Sequence, residues 1–322
     1  MKIILEVTSD LSFKITFLSR LAYISSYHNY QIFIRMKNQQ VIKSLIIVPI
    51  LGLLVAFAGS QNGQTINNLP IFGICVGLAF LINWLAFVPA YIGQTEKFYD
   101  LTGSLTYITI TLIAIYLSQH ADTRSMVLAA LVIIWAVRLG TFLFRRIHKA
   151  GKDDRFDKIK PNFLRFLNAW TIQALWVTFT SAPAIIAITT AKQAPLGVFF
   201  AVGLIVWIIG FLIEVVADYQ KTQFRKQAAN KENFITTGLW AKSRHPNYFG
   251  EIVLWIGVTI MAIPVLQGWQ WVALISPIFV TVLLTRVSGV PMLEAKANKK
   301  WGGQANYEAY KRATPVLIPK LS

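Results

Sequence analysis

The feature that most limits what this chain can fold into is a succession of apolar runs long enough to cross a lipid bilayer. A spanning helix needs about 20 mostly apolar residues. The sequence supplies eight candidate runs, at roughly 45–60, 71–93, 105–117, 125–144, 167–190, 196–217, 248–264 and 270–287. In hydrocarbon the backbone polar groups must be satisfied within the spanning element, so such runs fold as helices. The expected fold is all-α, a polytopic membrane helical bundle of about seven or eight transmembrane helices. Composition agrees, with 55% hydrophobic and 14% charged residues, against about 25% charged in an average soluble domain. The last two runs meet at Gln267-Gly268 and are expected to form a helical hairpin.

The charge distribution tests this count. Net charge is +17, from 31 Lys and Arg against 14 Asp and Glu. With the N-terminus placed in the cytoplasm, 28 of the 31 cations fall on segments 1–44, 94–104, 145–165, 218–246 and 286–322. Arg124 and Lys192 fall on the other side, and Arg138 lies within a span. Lys and Arg gather on the cytoplasmic side of membrane proteins, so both termini are expected there. The expected setting is a multi-pass integral membrane protein, in the inner membrane if the cell is bacterial. Its expected partners are the bilayer and a lipophilic small molecule, with neither nucleic acid nor metal. Residues 1–44 show no signal-peptide order of basic, apolar and small residues. They are read as an N-terminal extension, with 1–35 either foreign to the natural protein or an interfacial amphipathic helix. Residues 45–322 are read as one membrane domain, with the cofactor-binding portion at 138–322. Cys75 is the single cysteine, so no internal disulfide can form.

No GxGxxG, phosphate loop, GxSxG or HExxH occurs, and the four histidines are dispersed. The chemistry therefore rests on polar residues placed where hydrocarbon makes them costly. Arg138 lies deep in the fourth run, Glu214 and Asp218 near the end of the sixth, and Glu251 early in the seventh. Residues four apart share a helix face, which pairs Glu214 with Asp218 and Asn247 with Glu251. Taken singly, each is as readily a helix-end cap or a lone ion pair. Around them lie Arg145, Arg146, Asp154, Arg225, Arg244 and Arg286. Topology alone accounts for most basic loops. As a set they also suit an anionic cofactor, because Arg matches phosphate geometry and a carboxylate such as Asp154 or Asp218 suits a ribose hydroxyl or an adenine amine.

The segment Gly238-Leu239-Trp240-Ala241-Lys242-Ser243-Arg244-His245-Pro246-Asn247-Tyr248-Phe249-Gly250-Glu251 resembles the signature of the steroid 5-alpha-reductase C-terminal superfamily, in a bacterial branch of integral membrane proteins. The similarity extends to Ala217-Asp218-Tyr219 with Arg225, to Ser288-Gly289-Val290-Pro291-Met292-Leu293-Glu294, and to Tyr307-Glu308-Ala309-Tyr310 and Ile318-Pro319, over roughly residues 90–322. The Arg-His-Pro-x-Tyr core is shared with isoprenylcysteine carboxyl methyltransferases. The resemblance implies NADPH as cofactor, with S-adenosylmethionine as the alternative. It implies a cofactor set of Arg138, Arg145, Arg146, Asp154, Asp218, Arg225, Arg244, His245, Asn247, Tyr248, Glu251 and Arg286. Gln94 and Glu96 stand near the place of the reductases' catalytic Gln-Glu pair. Two features depart from the steroid enzymes: Trp135 stands where they carry a Tyr, and Ser288-Gly289-Val290-Pro291 replaces their histidines.

The expected activity is reduction of a carbon–carbon double bond in a lipid or steroid-like enone. The developing enolate needs a proton donor, and a carboxyl kept neutral by an apolar wall would serve. Glu96 is the first candidate, and a tyrosine, Tyr99 or Tyr91, the second. The rival readings are a membrane methyltransferase and a non-enzymatic membrane protein.

Overall fold

The computed structural model describes residues 38–119 and 121–320. Eight helices are long and apolar enough to cross a membrane. They are α1 (Asn38–Ser60), α2 (Ile71–Ile92), α3 (Tyr99–Leu117), α4 (Thr123–Ala150), α5 (Phe163–Thr189), α6 (Val198–Lys226), α7 (Pro246–Ala262) and α8 (Ile275–Val282). Beyond α8 come α9 (Gly289–Trp301) and α10 (Ala305–Ala313). The chain is thus a multi-pass helical membrane protein.

α1 starts at Asn38, so residues 38–44 belong to the first helix rather than to an extension. The reading of residues 1–35 lies outside the described residues. α3 begins six residues earlier than its apolar run, at Tyr99-Asp100-Leu101-Thr102-Gly103-Ser104. Hydropathy hides this polar first turn. It is stable as helix because the Thr102 and Thr106 hydroxyls donate to the carbonyls one turn back, at 2.9 and 2.7 Å. Asp100 also favours the positive helix start. α8 follows a tight helical segment, Gly268–Leu274, and widens into a π-turn at Leu283–Val287. There the Ser288 N–H reaches the Leu283 carbonyl at 2.9 Å. The widened turn redirects the chain into α9.

α5 is the central helix: 89% of its apolar window is buried, against 17% for α1. Its interior Thr and Ser hydroxyls bond back to their own helix, as Thr178 does to Ala174 at 2.9 Å and Ser181 to Val177 at 2.6 Å. In this way they enter the core without stranded donors. α6 and α7 pack closest of all through paired glycines seven residues apart. A Cβ on Gly210 would lie 2.7 Å from the Gly250 carbonyl oxygen, and one on Gly257 would lie 2.6 Å from that of Gly203. Small residues let membrane helices touch backbone to backbone. That contact carries the end of α6 onto the start of α7.

At the opposite end the short loops knit together. Thr65–Ile66 and Leu69–Pro70 pair as a minimal hairpin, turned by Asn67 and Asn68 at positive φ. Gln64 accepts from the Gln119 N–H at 2.7 Å and donates to the Thr190 carbonyl at 2.9 Å. Buried Arg124 donates to the Ala194 and Pro195 carbonyls, both at 2.9 Å.

Candidate functional site

The ends of α2, α4, α6 and α8 and the starts of α3, α5 and α7 all lie at one end of the bundle. At that end Arg138 joins α4 to α6. Its Nη1 donates to Glu214 Oε1 and its Nη2 to Asp218 Oδ2, both at 2.5 Å. The Trp135 indole N–H donates to the other Glu214 oxygen at 3.1 Å. Trp135 packs edge-on against Tyr107 and Trp255, with ring centres 5.1 and 5.0 Å away. The guanidinium therefore bridges two carboxylates above an aromatic floor, and it faces the bundle interior as an intramembrane Arg must.

Glu251 comes to the same cluster from α7, within electrostatic reach of Glu214, Asp218 and Arg138. It is 8% exposed and accepts no hydrogen bond among the described residues. Asn247, one turn earlier on the same face, and the Tyr248 hydroxyl are likewise without hydrogen-bond partners there. Three cations gather around Asp218. Lys221 lies 4.1 Å from the centre of the Trp240 ring and within reach of Arg225 and Arg146. Arg225 is exposed and has no carboxylate within ion-pair distance. Arg146 is 3.7 Å from Asp100. Like charges repel, so a group of three with so little anionic compensation suits an anionic ligand.

A second network adjoins the first. Asp100 lies 3.9 Å from Arg155, which closes on Asp153 at 2.5 Å. The Asp153 N–H donates to Glu96 at 2.8 Å, and the other Glu96 oxygen takes the Lys160 ammonium. Burial alone would raise the Glu96 carboxyl. The Lys160 and Asp153 bonds outweigh it and hold the group below the usual carboxylate range. The expectation of a neutral carboxyl at Glu96 is therefore corrected: it is an ion-paired carboxylate that anchors the 151–162 loop.

Around the α7 start, Glu294 of α9 accepts from His245 Nε2 at 2.8 Å and from Arg244 at 2.9 Å. The His245 ring stacks on Tyr248, 5.7 Å between centres. The C-terminal segment straps this region. The Arg244 N–H donates to the Pro315 carbonyl at 2.9 Å, the Ser243 hydroxyl to that of Leu317 at 2.7 Å, and the Tyr310 hydroxyl to that of Trp240 at 2.7 Å.

The structure thus brings together Arg138, Arg146, Asp218, Arg225, Arg244, His245, Asn247, Tyr248 and Glu251 of the residues expected from sequence. Others stand apart. Arg145 is exposed and without an ion pair. Arg286 is exposed on the π-turn. Asp154 is exposed and loosely paired with Lys152 and Lys296, at 3.7 Å each. Gln94 sits exposed at positive φ, its amide donating to the Tyr91 carbonyl at 2.7 Å. The Tyr99 hydroxyl donates to the Ala169 carbonyl at 3.0 Å, and Tyr91 packs on Phe163. Lys221 and Glu294 are participants that the sequence reading assigned no role. Lys221 was discoverable as the residue between Asp218 and Arg225 on one helix, whereas Glu294 is joined to His245 only by tertiary folding. Among the described residues no His, Cys, Asp and Glu group is arranged to hold a metal.

Fold and site together define a polytopic membrane protein with a charged, partly unpartnered cluster at one end of its bundle. The chain belongs to the family described as "Protein of unknown function (DUF1295)", whose defining pattern matches residues 86–314. It is 29% identical over 122 residues to bovine (Bos taurus) 3-oxo-5-alpha-steroid 4-dehydrogenase 1, covering 38% of this chain and 42% of that one. It is 28% identical over 120 residues to steroid 5-alpha-reductase DET2 of Gossypium hirsutum, covering 37% and 42%. A Schizosaccharomyces pombe protein, C594.04c, is 23% identical over 164 residues, covering 42% and 47%. The matched region thus spans less than half the length of these relatives. No solved structure matches the chain.

Proposed function

We propose that this protein is a membrane-embedded, NADPH-dependent reductase of a carbon–carbon double bond conjugated to a carbonyl in a lipid or steroid-like substrate. The observation that carries the reading is the gathering of Arg146, Lys221 and Arg225 beside Asp218 and Glu251, at the end of the bundle where most cations lie. The names of the bovine and Gossypium relatives support the reaction class. These side chains fit the cofactor: the cations match its phosphates, and unpartnered Glu251 and Asn247 match its hydroxyl and carboxamide donors. When bound, NADPH supplies a hydride to the β-carbon of the enone. Arg138 holds Asp218 in place, and the α7 start orients Asn247 and Glu251.

The α-carbon then takes a proton. Glu96 has none to give while Lys160 holds it ionised, and the Tyr99 proton is committed to the Ala169 carbonyl. Tyr248, whose hydroxyl has no partner among the described residues, is the donor in this reading. Arg145, Asp154 and Arg286 line the approach as solvated charges. In a bacterial cell the protein would lie in the inner membrane, with the basic end and both termini in the cytoplasm.

The test is a tryptophan-fluorescence titration of the purified protein with NADPH and, separately, with S-adenosylmethionine. NADPH is expected to bind, more tightly as salt is lowered. Arg225→Ala is expected to weaken it about ten- to a hundredfold, the range for a charged hydrogen bond. Binding of S-adenosylmethionine with no NADPH binding at any salt concentration would replace this reading by the methyltransferase one.

A further inference from the structure

The His245 ring has one nitrogen engaged and one bare. Nε2 lies 2.8 Å from Glu294 Oε1, and the other oxygen of that carboxylate is held by Arg244 at 2.9 Å. A carboxylate offers only acceptors, so Nε2 carries the proton. In a neutral imidazole the lone pair then sits on Nδ1. Nδ1 is buried, has no hydrogen-bond partner among the described residues, and belongs to a residue only 4% exposed. Buried polar atoms without partners are few in folded proteins, and each calls for a specific explanation. The ring is fixed on both faces of the problem: Tyr248 stacks on it, and the Glu294–Arg244 pair locks its tautomer.

We infer that Glu294 poises His245 as a neutral hydrogen-bond acceptor for the bound cofactor, with Nδ1 taking an N–H or O–H of the ligand such as a carboxamide or a ribose hydroxyl. This rests on the reading above that a nucleoside cofactor binds at this end. The surroundings keep the imidazole neutral. Burial, Lys221 from α6 and adjacent Arg244 hold it below its usual value, against Glu294 from α9. Tyr248 faces it from α7 as a neutral phenol ring. Nicotinamide and adenosine cofactors both carry suitable donors, so the chemistry is shared, and the two titrations separate the sources.

Two substitutions split the ring's functions. Asparagine can bring its carbonyl oxygen to the Nδ1 position but is too short to reach Glu294. Glutamine reaches Glu294 but places nothing at Nδ1. Full-length wild type, His245→Asn and His245→Gln are titrated by tryptophan fluorescence with NADPH and with S-adenosylmethionine, after thermal melting shows each variant folded. The expected result is at least a roughly tenfold weakening in His245→Gln, with His245→Asn within about threefold of wild type. The reverse order, equal losses or no loss in either variant would make His245 only a latch between α7 and α9, and overturns the inference. If wild type binds S-adenosylmethionine alone, the reductase reading falls, while the same comparison on that ligand still decides the role of His245. Binding of neither ligand overturns both. Should a variant fail to fold, the wild type labelled with nitrogen-15 histidine gives the answer directly. Ligand addition moves the signal of the unprotonated buried ring nitrogen if Nδ1 accepts a hydrogen bond, and an unmoved signal refutes it.

Discussion

Replacing Arg138 by Leu removes the one guanidinium that bridges Glu214 and Asp218. The side chains involved are 18%, 3% and 9% exposed, so water cannot take over its role. Removing one partner of a buried ion pair costs about 3–5 kcal/mol, because the stranded charge keeps its desolvation penalty. Here two carboxylates are stranded, with Glu251 beside them. At about 2 °C per kcal/mol for a chain of this size, Arg138→Leu is expected to melt roughly 5–10 °C below wild type in detergent. The same cluster contains its own control. Arg138→Leu combined with Glu214→Gln and Asp218→Asn removes the stranded charges and is expected to recover at least half of the loss. Thermal melting followed by size-exclusion recovery measures both variants. A single variant that melts with wild type, or a triple variant as unstable as the single one, would refute the electrostatic account.

Gly210→Val places side-chain carbon against the α7 backbone, where even a Cβ would lie 2.7 Å from the Gly250 carbonyl. Overpacking of this kind costs about 1–3 kcal/mol, so the variant is expected to melt lower and to lose cofactor affinity as Glu214 moves from Glu251. Gly77→Ala, whose Cβ meets nothing within 4 Å, is expected to leave both unchanged. The Glu96–Lys160 pair predicts a pH effect. A carboxyl held below its ordinary 4.5 stabilises the fold above that value and loses its contribution as pH falls through the lower folded value. Melting temperature is therefore expected to fall more steeply for wild type than for Glu96→Gln below about pH 4.5, with the variant already less stable at neutral pH; parallel curves would contradict the pairing. Cysteines introduced singly at 61–69 and at 150–160 in a Cys75→Ser background are expected to be labelled from opposite sides of the membrane, and labelling from the same side would overturn the orientation.

The apolar runs placed eight spanning helices to within a few residues because a bilayer leaves a long uncharged segment no other structure. The same reasoning exposed Arg138, Glu214, Asp218 and Glu251, since an ionisable residue in such a run stands out against its neighbours. It missed the start of α3, where Thr and Ser hydroxyls satisfied by their own helix read as loop. It also missed the residues that matter only through their partners. Glu96 looked like a candidate for a neutral acid until Lys160, distant in sequence, was found to hold it ionised. Glu294 carried no signal of its own, because its meaning comes from the π-turn that swings α9 onto His245 and Arg244. Sequence alone thus determined which segments cross the membrane and which charges are out of place there, properties set by each residue's own solvation. Tertiary structure decided which of those charges neutralise one another and which stay unpartnered, because pairing is a property of distances between helices, fixed here by glycine contacts between α6 and α7 that no hydropathy pattern records.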